Sequence, residues 1–294
     1  MKDIAEELLG PPVTLHELKN KPGRRQTLRA TGSRGTAIVK VYASERAPVV
    51  AARVAALAAG PCPLRVPAVL HLDAERHLVF LSDVPGVPLR HAVLAGDLDA
   101  CRRAGQALGH WHAAWAGRDA SPLRAHTAER ELEALLKRAA TAPLEVTRAV
   151  TGRAPALAAP WPQATVVHRD LYEEQLLLDD DGRVGLIDLD DAALGPPELD
   201  LGNLLAHLDL LALRTGRSLD EPAAALLAGH TSAAGSPDAA LLARCRALTR
   251  LRLACIHREP ALLTLVRAPG HRLGAGQVAG GALRQERHRG LGFP

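Results

Sequence analysis

The chain has 294 residues, a formal net charge of +4, 47% hydrophobic residues and only 2% aromatic ones. Its length exceeds that of a usual single core, so two units of unequal size are expected, packed from Ala, Leu and Val. The scarcity of aromatic rings argues against a stacking platform for single-stranded nucleic acid, the dispersed Cys62, Cys101, Cys245 and Cys255 argue against a redox or metal framework, and Met1-Lys2-Asp3 opens no leader while no run approaches a membrane span, so a cytoplasmic protein is expected.

In chain order, Asn20-Lys21-Pro22-Gly23-Arg24-Arg25 reads as an exposed turn. Two strands follow, Gln26 to Ala30 and Thr36 to Tyr42, separated by Thr31-Gly32-Ser33-Arg34-Gly35. Lys40 interrupts the apolar second strand. Taken alone it is as readily an outward lysine, sharing a face with Ile38 and Tyr42, as a buried functional one. Val49 to Ala59 reads as a helix, Leu78 to Leu81 as a buried strand, and Ser82 to Gly86 as the turn that leaves it. Helical spacing marks Asp99 to Trp115, Thr127 to Ala140, Asp200 to Thr215, Glu221 to Gly229 and Ala239 to His257. His110 and His112, two apart on one of these helices, do not share a face and make no metal pair. Gly270 to Pro294, rich in Gly, Arg and His without periodicity, is expected to be a mobile tail.

The chemistry concentrates in the middle. Thr165 to Val167, Leu176 to Leu178 and Val184 to Ile187 read as short buried strands, the last two joined by the turn Asp179-Asp180-Asp181-Gly182. Asp170 and Asp188 each leave the end of a strand, and folding the hairpin brings those ends to one cleft. The sequence His168-Arg169-Asp170-Leu171-Tyr172-Glu173-Glu174-Gln175, followed by Leu186-Ile187-Asp188, is spaced like the catalytic loop and metal site of a kinase. Phosphoryl transfer needs one carboxylate to orient the nucleophile and take its proton, and another to hold magnesium against the phosphates. Asp170 is the candidate base and Asp188 the candidate metal ligand. Gln175 stands where the kinase pattern usually has Asn, offering the same hard amide oxygen on a longer stem.

Further on, Asp190-Asp191, Gly195-Pro196-Pro197 and Asp200-Leu201-Gly202-Asn203 complete a pattern that resembles the aminoglycoside phosphotransferase family of small-molecule kinases. No Ala-Pro-Glu element of a protein kinase follows Asp188. The resemblance implies an α+β, bilobal protein-kinase-like fold: a small antiparallel-sheet lobe over residues 1–83, a mainly helical lobe over 84–269, then the tail from 270. It implies ATP as co-substrate with Mg2+, and a small-molecule hydroxyl acceptor, with neither nucleic acid nor membrane as partner. It also gives Lys40 the α and β phosphates. Lys21 and Gly23 fall where the fold places a loop over the nucleotide phosphates, although a solvated hairpin turn explains the same residues. The backbone of Ser82, Asp83 and Val84 is expected to meet the adenine. His168 is expected to hold the catalytic loop and Asp200 to brace it, although an N-cap is the plainer reading of Asp200. The helix after Lys40 lacks the usual Glu, which leaves Glu45 as the nearest candidate to pair with the lysine. That absence, with Gln175, keeps open a nucleotide-binding pseudokinase that has lost transfer. Basic residues crowd the first lobe and acidic ones, Glu173, Glu174, Asp188, Asp190, Asp191, Glu198 and Asp200, the catalytic stretch, a distribution that suits a triphosphate and an amine-bearing acceptor.

Overall fold

The computed structural model describes residues 1–266; the expected tail lies outside the described residues. The first helix, α1 (Lys2–Leu9), buries Ala5 and Leu9 on the first sheet. That sheet comprises β1 (Thr14–Lys21), β2 (Arg25–Gly32), β3 (Gly35–Tyr42), β4 (Val69–Asp73) and β5 (Leu78–Ser82), antiparallel in the order β1-β2-β3-β5-β4. The period of two in β3 divides its side chains between the faces. Ala37 and Val39 join the α1 cluster, whereas Ile38 and Tyr42 pack into the main core on the other side. Lys40 lies on that second side and is buried, 4% exposed, so the outward alternative does not hold. Helix α2 (Ala47–Ala59) covers this side through Val50, Val54 and Leu57.

After β6 (Val87–Pro88) the chain is mostly helical: α3 (Leu89–Ala95), α4 (Leu98–Trp115), α5 (Ala128–Ala139) and α6 (Leu144–Leu157) precede the strands β7 (Thr165–Val167), β8 (Leu176–Leu178), β9 (Val184–Leu186) and β10 (Ala193–Gly195). A short 3-10 turn, Leu189–Asp191, lies before β10. Helices α7 (Pro197–Thr215), α8 (Asp220–Ala234), α9 (Ala239–His257) and α10 (Ala261–Thr264) follow. Helix α7 runs between two cores: Leu201, Leu204 and Leu208 face the one shared with α4, and Leu199 and Leu210 face the one shared with α5, α6 and α9. Backbones of α4 and α8 approach so closely that a Cβ on Gly105 would stand 2.0 Å from the Leu226 carbonyl oxygen, and one on Gly229 2.0 Å from that of Arg102. Only glycine allows that crossing.

The α+β, two-lobed architecture expected from the sequence is the one observed. Four departures matter. The described chain opens with α1 and β1, neither of which was anticipated, and α6 fills a stretch left unassigned. Helix α7 begins at Pro197, so Asp200 lies inside its first turn and caps nothing. The residues before Arg25 are strand to Lys21, with the turn confined to Pro22, Gly23 and Arg24.

Candidate active site

Strand β7 delivers the catalytic stretch. Its antiparallel pairing with β10 fixes Val167 opposite Ala193, and the chain then turns at His168. His168 is fully buried: its Nε2 donates to the Ile187 carbonyl at 2.8 Å, and its Nδ1 accepts from the Asp170 amide at 3.3 Å. Asp200, also fully buried, accepts the backbone N–H groups of His168 at 2.7 Å and Arg169 at 2.8 Å, one on each carboxylate oxygen. Asn203 Nδ2 donates to the Arg169 carbonyl at 2.5 Å, so one helix face grips three backbone groups of His168 and Arg169. Arg169 has φ 72°, a left-handed conformation that a Cβ-bearing residue adopts at a cost of roughly 1–2 kcal/mol. Beyond this anchored bend Asp170 emerges half-exposed, with Arg252 Nη2 3.6 Å from its Oδ1.

The second carboxylate arrives on the β8–β9 hairpin. Leu176 pairs with Leu186, and the Ile187 amide donates to the Gln175 carbonyl at 3.1 Å, which carries the pairing up to Asp188. Asp188 has φ 62°, a second left-handed residue at the cleft. Cations from the sheet lobe meet it. Lys40 Nζ lies 2.7 Å from Asp188 Oδ1 and 2.5 Å from Asp190 Oδ1. The Arg25 guanidinium donates to both oxygens of Asp188, at 2.8 and 3.0 Å, and also bonds Asp190. Tyr42 donates its hydroxyl to Asp190 Oδ2 at 2.8 Å. Burial alone would raise the Asp188 carboxyl, but Lys40 and then Arg25 outweigh it and hold the group well below the usual carboxylate range. Burial works against the Lys40 ammonium as well, and Asp190 and Asp188 overcome it, so its pKa is raised.

These contacts bring together Asp170, Asp188, Lys40 and Lys21, which line one cleft or touch its residues. Lys21 meets no carboxylate within salt-bridge distance among the described residues; burial first, then Lys19 and Arg25, lower its pKa. Gly23, with φ 69°, is the third residue of a turn closed by the Arg24 amide on the Lys21 carbonyl at 3.0 Å. Pro22 before it makes this the Pro-Gly turn that favours such a conformation. Glu45 is exposed and forms no ion pair among the described residues; the structure does not bring it to Lys40. Instead Arg46, just before helix α2, meets Asp191 at 2.9 Å, and Arg53 of the helix bonds the Asp190 carbonyl. Ser82 exchanges bonds with Ala68, its amide donating to the Ala68 carbonyl and its hydroxyl accepting the Ala68 amide. Asp83 pairs with Arg29 at 3.2 Å, and Val84 is buried near Gly185 of the catalytic hairpin.

Arg25, Tyr42 and Asp190 were missed as site residues. Strand register held the signal for two of them: Thr27 pairs with Lys40 and Arg25 with Tyr42, so all belong to the face that carries Lys40. Asp190 was visible only as one acid among several.

Whether a divalent cation suits the site can be judged from its donors. Gln175 is 2% exposed, yet its Oε1 has no hydrogen-bond partner, an orphaned hard oxygen on the residue paired to the strand that leads into Asp188. No cluster of three or more His, Cys, Asp or Glu converges among the described residues. One carboxylate and one amide oxygen, completed by phosphates and water, is the sparse set that Mg2+ commonly takes.

Comparison with known proteins agrees with the observed fold. A family model described as "Phosphotransferase enzyme family" matches residues 21–252. The choline kinase LicA from Streptococcus pneumoniae is similar in structure at 15% identity, covering 93% of this chain and 92% of that one with a TM-score of 0.61. A macrolide 2'-phosphotransferase from Brachybacterium faecium is 17% identical over 92% and 98% of the two chains, with a TM-score of 0.56. A thermostable mutant of the aminoglycoside phosphotransferase APH(4)-Ia, in ternary complex with AMP-PNP and hygromycin B, is 18% identical over 90% and 94%, with a TM-score of 0.63. No curated protein matches the sequence. Among the described residues no helix is long and apolar enough to cross a membrane.

Proposed function

Because the chain belongs to the phosphotransferase enzyme family, whose model spans residues 21–252, we propose that it moves the γ-phosphoryl group of ATP to a hydroxyl of a small molecule. The observation that carries this reading is the half-exposed Asp170 carboxylate, anchored through its backbone and opening onto a cavity of about 390 Å³ that Asp188 also lines. The acceptor hydroxyl gives its proton to Asp170 as its oxygen bonds the γ-phosphorus; the bond from that phosphorus to the bridging oxygen breaks, and ADP leaves. Lys40, Arg25 and Lys21 offer positive charge to the triphosphate, in the low-dielectric cleft where preorganised charge is most effective. Backbone groups of Asp83 and Val84 are the candidates for the adenine edge. Asp188 and Gln175 would hold Mg2+, which neutralises charge on the phosphates.

The direct test is Mg2+-dependent ADP release with a panel of hydroxylated acceptors, comparing wild type with Asp170→Asn. Acceptor-stimulated release that the variant loses, with ATP binding kept, supports the reading. ATP binding without stimulation by any acceptor supports the pseudokinase instead, and undiminished turnover in Asp170→Asn removes the assigned base.

A further inference from the structure

The acidic residues that suggested an amine-bearing acceptor are mostly occupied elsewhere. Asp200 braces the catalytic loop, Asp190 holds Lys40 and Arg25, Asp191 meets Arg46, and Glu198 accepts the Asp238 amide at 2.8 Å. Besides Asp170, which Arg252 approaches, and Asp188, which Lys40 and Arg25 hold, the cavity is lined by Glu173 and Glu174, and Arg90 reaches both, at 3.6 and 3.5 Å. Burial also raises the Glu173 carboxyl, which weakens it further as a partner for an amine.

Cations without such partners line the same space. Arg214 of α7 and Lys19 of β1 have no carboxylate within salt-bridge distance among the described residues. Arg252 contributes from α9: its Nε is buried and unpaired, and its Nη2 is shared between Asn203 and Asp170. The remaining wall is apolar, from Leu210, Leu211, Leu253 and Ile256. His207, stacked on Tyr172 with ring centroids 4.9 Å apart, leaves a buried Nε2 without a partner at this cavity.

We infer that the acceptor is a hydroxylated anion, carrying a carboxylate or a phosphate ester on a partly apolar body, with Arg214 as the residue that selects its charge. An ammonium in this cavity would face the Arg214 guanidinium and the Lys19 ammonium, whereas an oxyanion would supply the partner that each of these two cations lacks. The inference rests on the phosphotransferase reading above, since it names the class of molecule whose hydroxyl meets Asp170.

The experiment pairs skeletons of equal size: hydroxy acids and sugar phosphates against amino alcohols and aminoglycosides, at saturating Mg-ATP, with wild type, Arg214→Lys and Arg214→Glu. The expected result is ADP release stimulated by the anions, with KM about tenfold higher in Arg214→Glu, kcat little changed, and most of the loss recovered in Arg214→Lys. The carboxylate and phosphate arms decide between the two anions. Turnover of the amines, unaffected or improved by Arg214→Glu, overturns the inference and leaves the kinase reading standing. Calorimetric titration of the same compounds with AMP-PNP present separates the remaining cases. Anion binding that Arg214→Glu weakens, without turnover, upholds the anion site while removing the kinase reading; absence of anion binding across the panel overturns the inference.

Discussion

Asp200→Asn is the perturbation whose consequences the structure defines most closely. The carboxylate is fully buried and holds two backbone N–H groups at 2.7 and 2.8 Å, with His112 Nε2 at 3.2 Å from Oδ2. Hydrogen bonds to a charged acceptor contribute about 1.5–3 kcal/mol each. Asn keeps one acceptor oxygen, neutral, and turns an N–H donor toward the second backbone N–H. One charge-assisted bond is lost, the other weakened, and a buried donor is left unsatisfied, so a loss of about 3–5 kcal/mol is expected. Urea unfolding monitored by fluorescence measures it, read as a lower midpoint at unchanged slope. Activity reports a second consequence. Asp170 follows the two anchored residues directly, and a displacement of about 1 Å costs on the order of a hundredfold in rate. Under the proposed reading kcat therefore falls about that much, whereas ATP affinity stays within about threefold, because no contact of Asp200 involves Lys40 or Arg25. Stability within 0.5 kcal/mol of wild type, roughly the scatter of a neutral surface change, would refute the bracing role. So would ATP affinity falling in step with kcat.

Other predictions test the clamp and the scaffold. Lys40→Met leaves Asp188 and Asp190 with Arg25 as their one remaining strong cation, and should lower stability by about 2–4 kcal/mol while weakening ATP binding more than tenfold, as measured by melting and titration. Gly105→Ala sets a Cβ 2.0 Å from a backbone oxygen, which no side-chain rotation relieves, and should cost about 3 kcal/mol with a correspondingly lower melting temperature. Acid should loosen the lobes. Because Asp188 titrates lower in the folded chain than in the unfolded one, its contribution is complete above the unfolded pKa near 4 and declines as pH falls toward the folded value. Melting curves between about pH 5 and 3 should show that decline, and in Lys40→Met it should be shallower, since the main opposing charge is gone.

What could be read from the chain depended on whether an element carries an apolar pattern of its own. Strands β2 and β3 were legible because residues of strand propensity flank the Gly-containing turn between them, and β5 because Leu-Val-Phe-Leu is a short continuous apolar run. Strand β1 was not: all but its last residue are exposed, and Thr-Leu-His-Glu-Leu-Lys-Asn contains no buried row. Helix α6 holds Gly152 and Pro155, both breakers by propensity, yet Val146, Val150 and Ala154 at successive i+4 positions are completely buried, and tertiary packing overrides the local preference. The site divides in the same way. Lys40 stands within a strand and Asp170 and Asp188 just beyond strand ends, where spacing carries the signal, whereas Asp190 and Arg25 depend on how two lobes face each other, which no local pattern encodes.

Charge was the least transferable part of the sequence reading, for a reason visible in the clamp. Counting acids along residues 173–200 treats each as available, but a carboxylate held by a guanidinium or by two amides no longer attracts a ligand. Asp188 and Asp190 illustrate the difference between engaged and committed groups. Asp190 is 3% exposed and bonds Lys40, Arg25 and Tyr42, so it keeps both cations in place. Asp188 shares those two cations but its side chain is 24% exposed and faces the cleft. Under the proposed reading, phosphates compete with Asp188 for Lys40 and Arg25, and the released carboxylate is then available to a metal, while Asp190 prevents the cations from following. ATP affinity would accordingly be net of the bonds that Asp188 gives up, and an Asp188→Asn variant, which surrenders less, would bind metal-free nucleotide more tightly than wild type even as it loses the advantage that Mg2+ confers. Titrating ATP with and without Mg2+ reads both effects, and weaker metal-free binding in Asp188→Asn would show that the carboxylate assists the phosphates' cations rather than competing for them.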